Sequence, residues 1–200
     1  MRVGAIILAA GMSRRMGRPK MLLPWGETSV LGQVVKTFSE AGVSEIVAVT
    51  GGAREIVEAE VARLAGNFPV RAVFNRLYES GGMLESVQAG LAALGPDVDA
   101  TFIGLGDQPQ GGVCTAREIL SAYNQTRRGI IIPSFEMRRG HPYLLDRAFW
   151  AELLAMQPPQ TLRDFLNAHG GEILYVPADE SILLDLDTPE DYERYLKNAQ

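Results

Sequence analysis

The chain has very little cysteine and no long apolar run. Cys114 is the only cysteine among its 200 residues, which excludes an intrachain disulfide and a multi-cysteine metal site, and a lone thiol of this kind is expected to be buried. The apolar stretch at residues 3–10 is far shorter than the roughly 18 residues that a membrane span requires, and it runs into a loop rich in Gly and Arg. That pattern is typical of a buried strand and not of a signal peptide, so we expect a cytoplasmic protein without a membrane partner.

The chain also lacks an excess of basic residues. Its formal net charge is −5 and its pI is about 5.1, which argues against a nucleic-acid partner but is compatible with a local cationic pocket. No internal repeat, low-complexity tract or linker interrupts the sequence. With 46% hydrophobic residues the chain can fill one sizeable core, and residues 1–200 are predicted to form a single domain.

Apolar runs rich in Val and Ile alternate with amphipathic segments along the chain. The apolar runs predict strands, and the segments with apolar residues three and four positions apart predict helices. Such alternation implies right-handed crossovers, so the predicted fold is a single-domain, Rossmann-like α/β fold with a mainly parallel sheet and helices on both faces. The predicted strands are residues 3–9, 45–50, 70–74, 100–105, 129–133 and 172–176, and the predicted helices are residues 30–41, 53–64, 84–94, 113–124, 146–156 and 161–169, with a last helix from Pro189 onward.

A loop of small and cationic residues follows the first predicted strand. Its sequence, Leu8-Ala9-Ala10-Gly11-Met12-Ser13-Arg14-Arg15-Met16-Gly17-Arg18-Pro19-Lys20, places four cations within seven residues. Like charges this close repel one another unless solvent or an anion intervenes, and a triphosphate would satisfy them. A solvated basic loop whose glycines serve only as turns is the alternative. The loop is neither a Walker A sequence nor a Gly-x-Gly-x-x-Gly fingerprint, and the second absence argues against a dinucleotide-binding oxidoreductase.

Two acidic segments follow apolar runs and are candidates for binding a metal. Asp107 comes directly after the strand predicted at residues 100–105. Its loop is expected to lie beside the loop at residues 8–20, because ligands bind beyond the carboxyl ends of strands where strand order reverses. Magnesium prefers one or two carboxylates with phosphates and water, although an aspartate here could simply satisfy a turn. In the second segment, Asp187 could instead stabilise the start of the last helix, and strand alternation would place Asp185 on the same face.

The loop at residues 8–20, continued by residues 22–26, resembles the signature of the MobA-like nucleotidyltransferases. Within that family the sequence is most similar to the molybdenum cofactor cytidylyltransferase branch, and the resemblance extends over nearly the whole chain. It implies the transfer of a nucleoside monophosphate from a triphosphate to a phosphate group, with Mg²⁺ as cofactor and pyrophosphate as second product. It also favours CTP over GTP, because the guanylyl-transferring members usually carry a second glycine where this chain has Ala10.

The resemblance implies roles for particular residues. Arg15, Lys20 and Asp107 would act in catalysis, with the two cations on the phosphates. Asp107 would bind the metal together with Asp187. Asn75 would contact the base or ribose, although a flexible loop before the next helix is the alternative for its segment. Thr50 is also predicted to contact the nucleotide, because it ends a predicted strand at the same edge of the sheet. The predicted nucleotide-binding residues are Leu8, Ala9, Ala10, Gly11, Lys20, Thr50, Asn75 and Ser86.

Residues 138–142 contain one of the two histidines of the chain. The resemblance favours this segment near the acceptor, which implies that Arg139 and His141 bind it and that the acceptor is molybdopterin bearing molybdenum. A purely structural histidine before a proline is the alternative. His169, beside two glycines, is expected to be only a helix-terminus residue.

One segment departs from the family pattern. Relatives usually continue the segment at residues 107–109 with an apolar residue and another proline, whereas this chain has Gln110-Gly111-Gly112. The change leaves the identity of the acceptor open, and it affects the predicted nucleotidyl transfer less. The alternatives are therefore an enzyme acting on a sugar or polyol phosphate such as methylerythritol phosphate, and a chaperone that delivers the molybdenum cofactor to a molybdoenzyme apoprotein.

Overall fold

The computed structural model describes residues 1–198, without the side chains of Arg14 and Asn198. An eight-stranded sheet forms the centre of the fold, and a two-stranded hairpin of β2 and β3 lies outside it. The strands are β1 (Val3–Ala9), β2 (Pro24–Trp25), β3 (Thr28–Ser29), β4 (Glu45–Thr50), β5 (Val70–Phe74), β6 (Ala100–Leu105), β7 (Ile130–Phe135), β8 (Arg138–Arg139), β9 (Tyr143–Asp146) and β10 (Ile173–Pro177). The helices are α1 (Val30–Glu40), α2 (Arg54–Leu64), α3 (Met83–Ala93), α4 (Val113–Thr126), α5 (Trp150–Ala155), α6 (Leu162–Ala168) and α7 (Pro189–Asn198).

The strand order of the central sheet is β10-β7-β9-β6-β1-β4-β5, with β8 paired to β7. β1 pairs in parallel with both β4 and β6, and the chain therefore builds outward from β1 first in one direction and then in the other. Strand order reverses between β1 and β6, which is where α/β sheets of this kind open a crevice at the carboxyl ends of the strands. The predicted fold, a mainly parallel sheet with helices on both faces, is confirmed.

Adjacent residues of β1 point into two different cores, as the two-residue period of a strand requires. Ile7 belongs to the core that α1, α2 and α4 cover, and Ile6 belongs to the core that α3, α5 and α6 cover. A third, smaller cluster packs the β2–β3 hairpin against α7 through Trp25 and Tyr192, and it includes Leu186. This cluster fixes the C-terminal segment next to the first loop. No helix within residues 1–198 has the length and apolarity needed to cross a membrane.

Two predictions about the chain are wrong. The helix predicted at residues 146–156 begins later, because residues 143–146 form β9, which lies antiparallel between β6 and β7. Asp146 ends that strand, and its carboxylate accepts a hydrogen bond from the Ala148 N–H at 2.8 Å, which starts the turn that leads into α5. Cys114, which was expected to be buried, is exposed near the start of α4.

Candidate active site

Two loops meet at the carboxyl ends of β1 and β6. Leu8 pairs with Leu105 across the two strands, and the Gly106 N–H donates to the Leu8 carbonyl oxygen at 3.0 Å. A Cβ on Gly106 would lie 2.9 Å from the Met21 sulfur and 3.1 Å from the Leu8 carbonyl oxygen, so a larger residue would force Met21 or the loop to shift. The expected adjacency of the Asp107 loop and the loop at residues 8–20 is therefore confirmed.

A cluster of two acids and two cations occupies this junction. The Lys20 ammonium contacts the Asp107 carboxylate and lies 3.5 Å from Asp187 Oδ1. Arg15 Nη2 lies 2.9 Å from Asp187 Oδ2. The Lys20 and Asp107 side chains are only 11% and 15% exposed, so solvent screens their attraction weakly. Arg15 is 70% exposed, and its ion pair contributes little to stability.

The first loop folds back on itself to present Lys20. Ser13 has a φ of +48°, and its hydroxyl accepts a hydrogen bond from the Lys20 backbone N–H at 3.2 Å. Gly17 has a φ of +64°, a region that glycine enters without a steric penalty. Arg18 faces the Tyr192 ring of α7, with its guanidinium carbon 5.9 Å from the ring centroid. The sequence predicted that the cations of this loop are free to bind an anionic ligand. In the structure, Arg15 and Lys20 are instead paired with aspartates.

The segment that carries Asp187 is tied to the Asp107 loop. The Leu186 N–H donates to the Asp107 carbonyl oxygen at 3.1 Å, and Gln110 Nε2 donates to the Leu184 carbonyl oxygen at 3.0 Å. Residues 184–187 form no strand, so the expected strand alternation of Asp185 and Asp187 does not apply. These contacts were missed because they join residues more than 70 positions apart.

Asp185 binds a glutamine and not a cation. Gln108 Nε2 donates to Asp185 Oδ1 at 2.8 Å. Burial raises the pKa of Asp185, the hydrogen bond from Gln108 lowers it, and the negative charges of Asp107 and Asp187 raise it further. Three carboxylates therefore share this small region. Among residues 1–198, no group of three or more His, Cys, Asp or Glu side chains has the arrangement needed to hold a metal on its own.

Asp107 and Asp187 nevertheless fit one cation whose coordination sphere is completed by phosphates and water. Both carboxylates engage the same Lys20 ammonium, so their oxygens converge on one positive centre. Magnesium needs only one or two carboxylates when substrate phosphates supply further oxygens. The donor set therefore suits a hard divalent ion bound with a triphosphate.

The predicted nucleotide-binding residues at the end of β1 border the end of β4. The Gly52 N–H donates to the Ala10 carbonyl oxygen at 3.1 Å, and a Cβ on Gly51 would lie 2.5 Å from that oxygen. Ala9 is buried and Leu8 is half-buried, whereas Gly11 is exposed. The loop backbone from Ala10 onward is therefore the part that is open to a ligand.

Three other predicted nucleotide-binding side chains are turned inward. Thr50 is fully buried, and its hydroxyl lies 3.2 Å from Glu58 Oε1. Asn75 Nδ2 donates to the Ser86 hydroxyl at 3.0 Å, and Asn75 Oδ1 accepts from the Leu77 N–H at 2.9 Å. Asn75 and Ser86 are thus brought together, but in this structure their hydrogen bonds stabilise the loop that leads into α3.

A cleft of about 590 Å³, which we name the His141 cleft, lies beside this junction. Tyr143 pairs with Ile103 of β6, which places His141 near Leu105 and the start of the Asp107 loop. His141 and Leu105 also border a common small cavity of about 30 Å³. The His141 cleft is lined by Ser80, residues 82–85, Arg139, His141, Tyr143, residues 158–163 and Leu166.

The two predicted acceptor-binding residues both line the His141 cleft. The His141 ring stacks on the Tyr143 ring with centroids 4.2 Å apart, and His141 Nε2 is buried without a hydrogen-bond partner among residues 1–198. Burial lowers the pKa of His141 to about 4, so its imidazole is neutral at pH 7. Arg139 is exposed, and its Nε donates to the Tyr175 hydroxyl at 2.8 Å.

The expectation that His169 is only a helix-terminus residue is incomplete. Its two ring nitrogens lie 2.8 Å from Glu172 Oε1 and 3.0 Å from the Glu152 carboxylate. The ring also packs against Phe149 and Phe165, with centroids 5.0 and 4.6 Å apart. His169 therefore joins α5, α6 and the turn before β10, away from the site at the carboxyl ends of β1 and β6.

This arrangement of a parallel sheet, a cationic loop after β1 and an aspartate after β6 defines a nucleotide-transferring class of α/β protein. The model of the MobA-like NTP transferase domain matches residues 5–173, and the chain belongs to that family.

Similar proteins cover nearly the whole chain. The molybdenum cofactor cytidylyltransferase of Escherichia coli (strain K12) is 31% identical over 96% of this chain and 97% of its own. The nicotine blue oxidoreductase of Paenarthrobacter nicotinovorans is 30% identical over 97% and 96%. The crystal structure of Rv0371c from Mycobacterium tuberculosis H37Rv has a TM-score of 0.82 and 28% identity over 98% of both chains, and its manganese complex has a TM-score of 0.77 and 27% identity over 98% of both chains.

Proposed function

We propose that the protein transfers CMP from CTP to a phosphate acceptor, which is molybdopterin bearing molybdenum, and releases pyrophosphate. The observation that carries the proposal is the cluster of Lys20, Asp107 and Asp187 at the junction of the two loops. The full-length similarity to a cytidylyltransferase supports the choice of nucleotide and acceptor, and Ala10 supports CTP over GTP.

The reaction is an in-line attack of an acceptor phosphate oxygen on the α-phosphorus of CTP. Asp107 and Asp187 would hold Mg²⁺, which neutralises charge on the phosphates, and the manganese complex of a similar protein supports a divalent ion. Lys20 and Arg15 stabilise the transferring and leaving groups by their charge. Positioning and charge compensation supply most of the catalysis in such transfers, so no protein nucleophile is needed.

The nucleotide lies along the loop that follows β1. The backbone of Leu8, Ala9, Ala10 and Gly11 contacts it, and Asn75 and Ser86 bind the base or ribose after a local rearrangement that frees their hydrogen bonds. For Thr50 the buried side chain leaves only the backbone at the end of β4 as a contact. The acceptor enters through the His141 cleft, where Arg139 and the neutral His141 contact it.

Two other functions remain as outcomes of the test. The oxidoreductase among the similar proteins favours a redox activity for this fold, although the chain has no Gly-x-Gly-x-x-Gly fingerprint after β1. A delivery chaperone would bind the same cofactor and pass it to a molybdoenzyme apoprotein. Neither alternative needs a lysine shared between two aspartates, which is why we prefer the transferase.

The test is pyrophosphate release from CTP, GTP, ATP and UTP, with Mg²⁺ and molybdenum-loaded molybdopterin or a panel of sugar and polyol phosphates. CTP-selective release that requires molybdopterin supports the proposal, and release only with another acceptor keeps the chemistry and removes the pterin. Binding of molybdopterin without release favours the chaperone. Oxidation of a nicotinamide cofactor without release favours the oxidoreductase.

Asp107→Asn tests the role of the carboxylate in that assay. The variant should lower metal-dependent turnover by about 10²–10³-fold or more, because the metal that neutralises charge on the reacting phosphates loses one of its two carboxylates. Asp97→Asn is the matched control, since Asp97 is 74% exposed and its one salt bridge among the described residues is with Arg2. Turnover by Asp107→Asn at the rate of Asp97→Asn would refute the role of Asp107.

A further inference from the structure

Two arginines at the His141 cleft form no salt bridge with an acid among residues 1–198. The Arg163 side chain makes no hydrogen bond there either. Arg139 contacts Tyr175 and lies 3.5 Å from Asn167 Oδ1. Arg163 and Asn167 are four residues apart on α6 and so share one face of that helix. Both guanidinium groups are therefore at the same end of the cleft.

The acids nearest to these arginines are already engaged. The Glu85 carboxylate accepts a hydrogen bond from the Gly82 N–H at 2.6 Å. The Asp164 carboxylate accepts from the backbone N–H and the hydroxyl of Thr161, at 2.8 and 2.7 Å. Neither acid forms a salt bridge with Arg139 or Arg163 among the described residues. The hydrogen bonds from Thr161, and to a smaller extent the charge of Arg163, lower the pKa of Asp164, so Arg163 interacts with this acid through its charge and without a direct contact.

Tyr143 adds a third donor to the two arginines. Its hydroxyl has no hydrogen-bond partner among residues 1–198, and its ring is fixed by the stack on His141. Burial raises the pKa of Tyr143, and the charges of Arg139 and Arg163 oppose that rise. Arg139, Tyr143 and Arg163 all line the His141 cleft. All three groups can donate hydrogen bonds. Arg139 already donates to Tyr175 and Asn167, whereas no acceptor among residues 1–198 engages the Arg163 guanidinium or the Tyr143 hydroxyl.

We propose that Arg163, Arg139 and the Tyr143 hydroxyl form a subsite for a second anionic group of the acceptor, separate from the phosphate that attacks CTP. The inference rests on the proposed function, because it takes the His141 cleft as the acceptor site. Guanidinium groups bind anions with several oxygens through paired hydrogen bonds. The subsite therefore selects a phosphate ester whose far end is also negatively charged or rich in acceptors. Molybdopterin bearing molybdenum belongs to this class, whereas a phosphate ester of a neutral polyol does not.

Arg163→Gln tests the subsite, with Arg163→Lys and Arg128→Gln beside it. Arg128 is an exposed arginine that precedes the amino end of β7, whereas Arg139 pairs with Ser134 near the carboxyl end of that strand. Arg128 does not line the His141 cleft, so its replacement changes charge away from the cleft. Arg163→Gln should raise the KM for molybdopterin about tenfold, the effect of one lost charge-assisted hydrogen bond, with kcat and the KM for CTP within about twofold. Arg163→Lys should recover part of the loss, and Arg128→Gln should behave as the unaltered protein.

A titration without CTP separates this inference from the proposed function. Direct binding of molybdenum-loaded molybdopterin is measured for the unaltered protein, Arg163→Gln and Arg128→Gln, after thermal unfolding has shown that all three are folded. Weaker binding by Arg163→Gln alone supports the subsite even when no pyrophosphate is released. Equal dissociation constants for the two variants, or no binding by the unaltered protein, overturn it.

Discussion

Replacing Lys20 by methionine should move metal binding and turnover in opposite directions. Methionine retains most of the volume of the lysine stem and removes only the ammonium group. That group contacts Asp107 and lies 3.5 Å from Asp187, so it competes with any cation for the same carboxylate oxygens. Without it, the two carboxylates are available to a divalent ion, while the triphosphate loses a positive partner.

The magnitudes follow from the burial of this cluster. A hydrogen bond to a charged group has a net worth of about 1.5–3 kcal/mol, so removing the competitor should tighten metal binding roughly tenfold to hundredfold. Loss of one preorganised charge at the reacting phosphates should lower kcat about 10²–10³-fold. The free energy of unfolding should fall by about 1–3 kcal/mol, because the partly buried carboxylates lose their counter-ion.

The assay measures free Mn²⁺ by electron paramagnetic resonance and turnover by pyrophosphate release. Lys36→Met is the matched control, since Lys36 is 49% exposed and lies 3.9 Å from Glu40 on the surface of α1. Unchanged or weaker Mn²⁺ binding by a folded Lys20→Met variant would show that Asp107 and Asp187 do not bind the metal. Unchanged kcat would place the phosphate site elsewhere.

Two further predictions concern the scaffold. The hydrogen bonds that the His169 ring donates to Glu172 and then to Glu152 raise the pKa of His169. Their contribution to stability is therefore present below the ordinary histidine pKa and is lost as pH rises through the raised value. His169→Gln should therefore lower the free energy of unfolding at pH 5.5 by an amount on the order of 1 kcal/mol, and by less at pH 8.5. The melting temperature at the two pH values measures this, and an equal decrease at both would contradict the prediction. Gly106→Ala should lower stability by about 1–3 kcal/mol and turnover by up to roughly a hundredfold, because its Cβ would lie 2.9 Å from the Met21 sulfur and displace the Asp107 loop. Kinetics and unfolding of Gly106→Ala equal to those of the unaltered protein would show that the loop adjusts without moving Asp107.

The parallel part of the sheet could be predicted because each strand is a continuous apolar run between amphipathic helices. β9 was missed for a physical reason: four residues that end in a helix-starting aspartate fit the beginning of a helix as well as a strand. Only pairing with β6 and β7, which lie far away in sequence, decides between the two. The hairpin of β2 and β3 has two residues in each strand, too few for any period to appear.

The candidate site shows a similar division. The adjacency of the two loops follows from topology, and the sequence predicted it. The pairing of Lys20 with Asp107 and Asp187 depends on side-chain geometry across 87 and 167 positions, which no local pattern contains. The inward turn of Asn75 and Ser86 was missed because a hydrogen bond between two polar residues has the same sequence signature as two groups that await a ligand. Arg163 carried no signal at all, since a lone arginine on a helix is ordinary.

The ion pairs at the junction couple the two halves of the proposed substrate complex. The carboxylates proposed for the metal and the cations proposed for the triphosphate neutralise one another in this structure. A metal that takes Asp107 and Asp187 releases Lys20 and Arg15 toward the phosphates, and a triphosphate that takes the two cations releases the carboxylates toward the metal. Each ligand alone must break ion pairs that the other would compensate, so the two bind more tightly together than separately, by the same factor in both directions. In the proposed complex, the acidic and basic residues of this site would therefore bind the metal and the nucleotide as a unit.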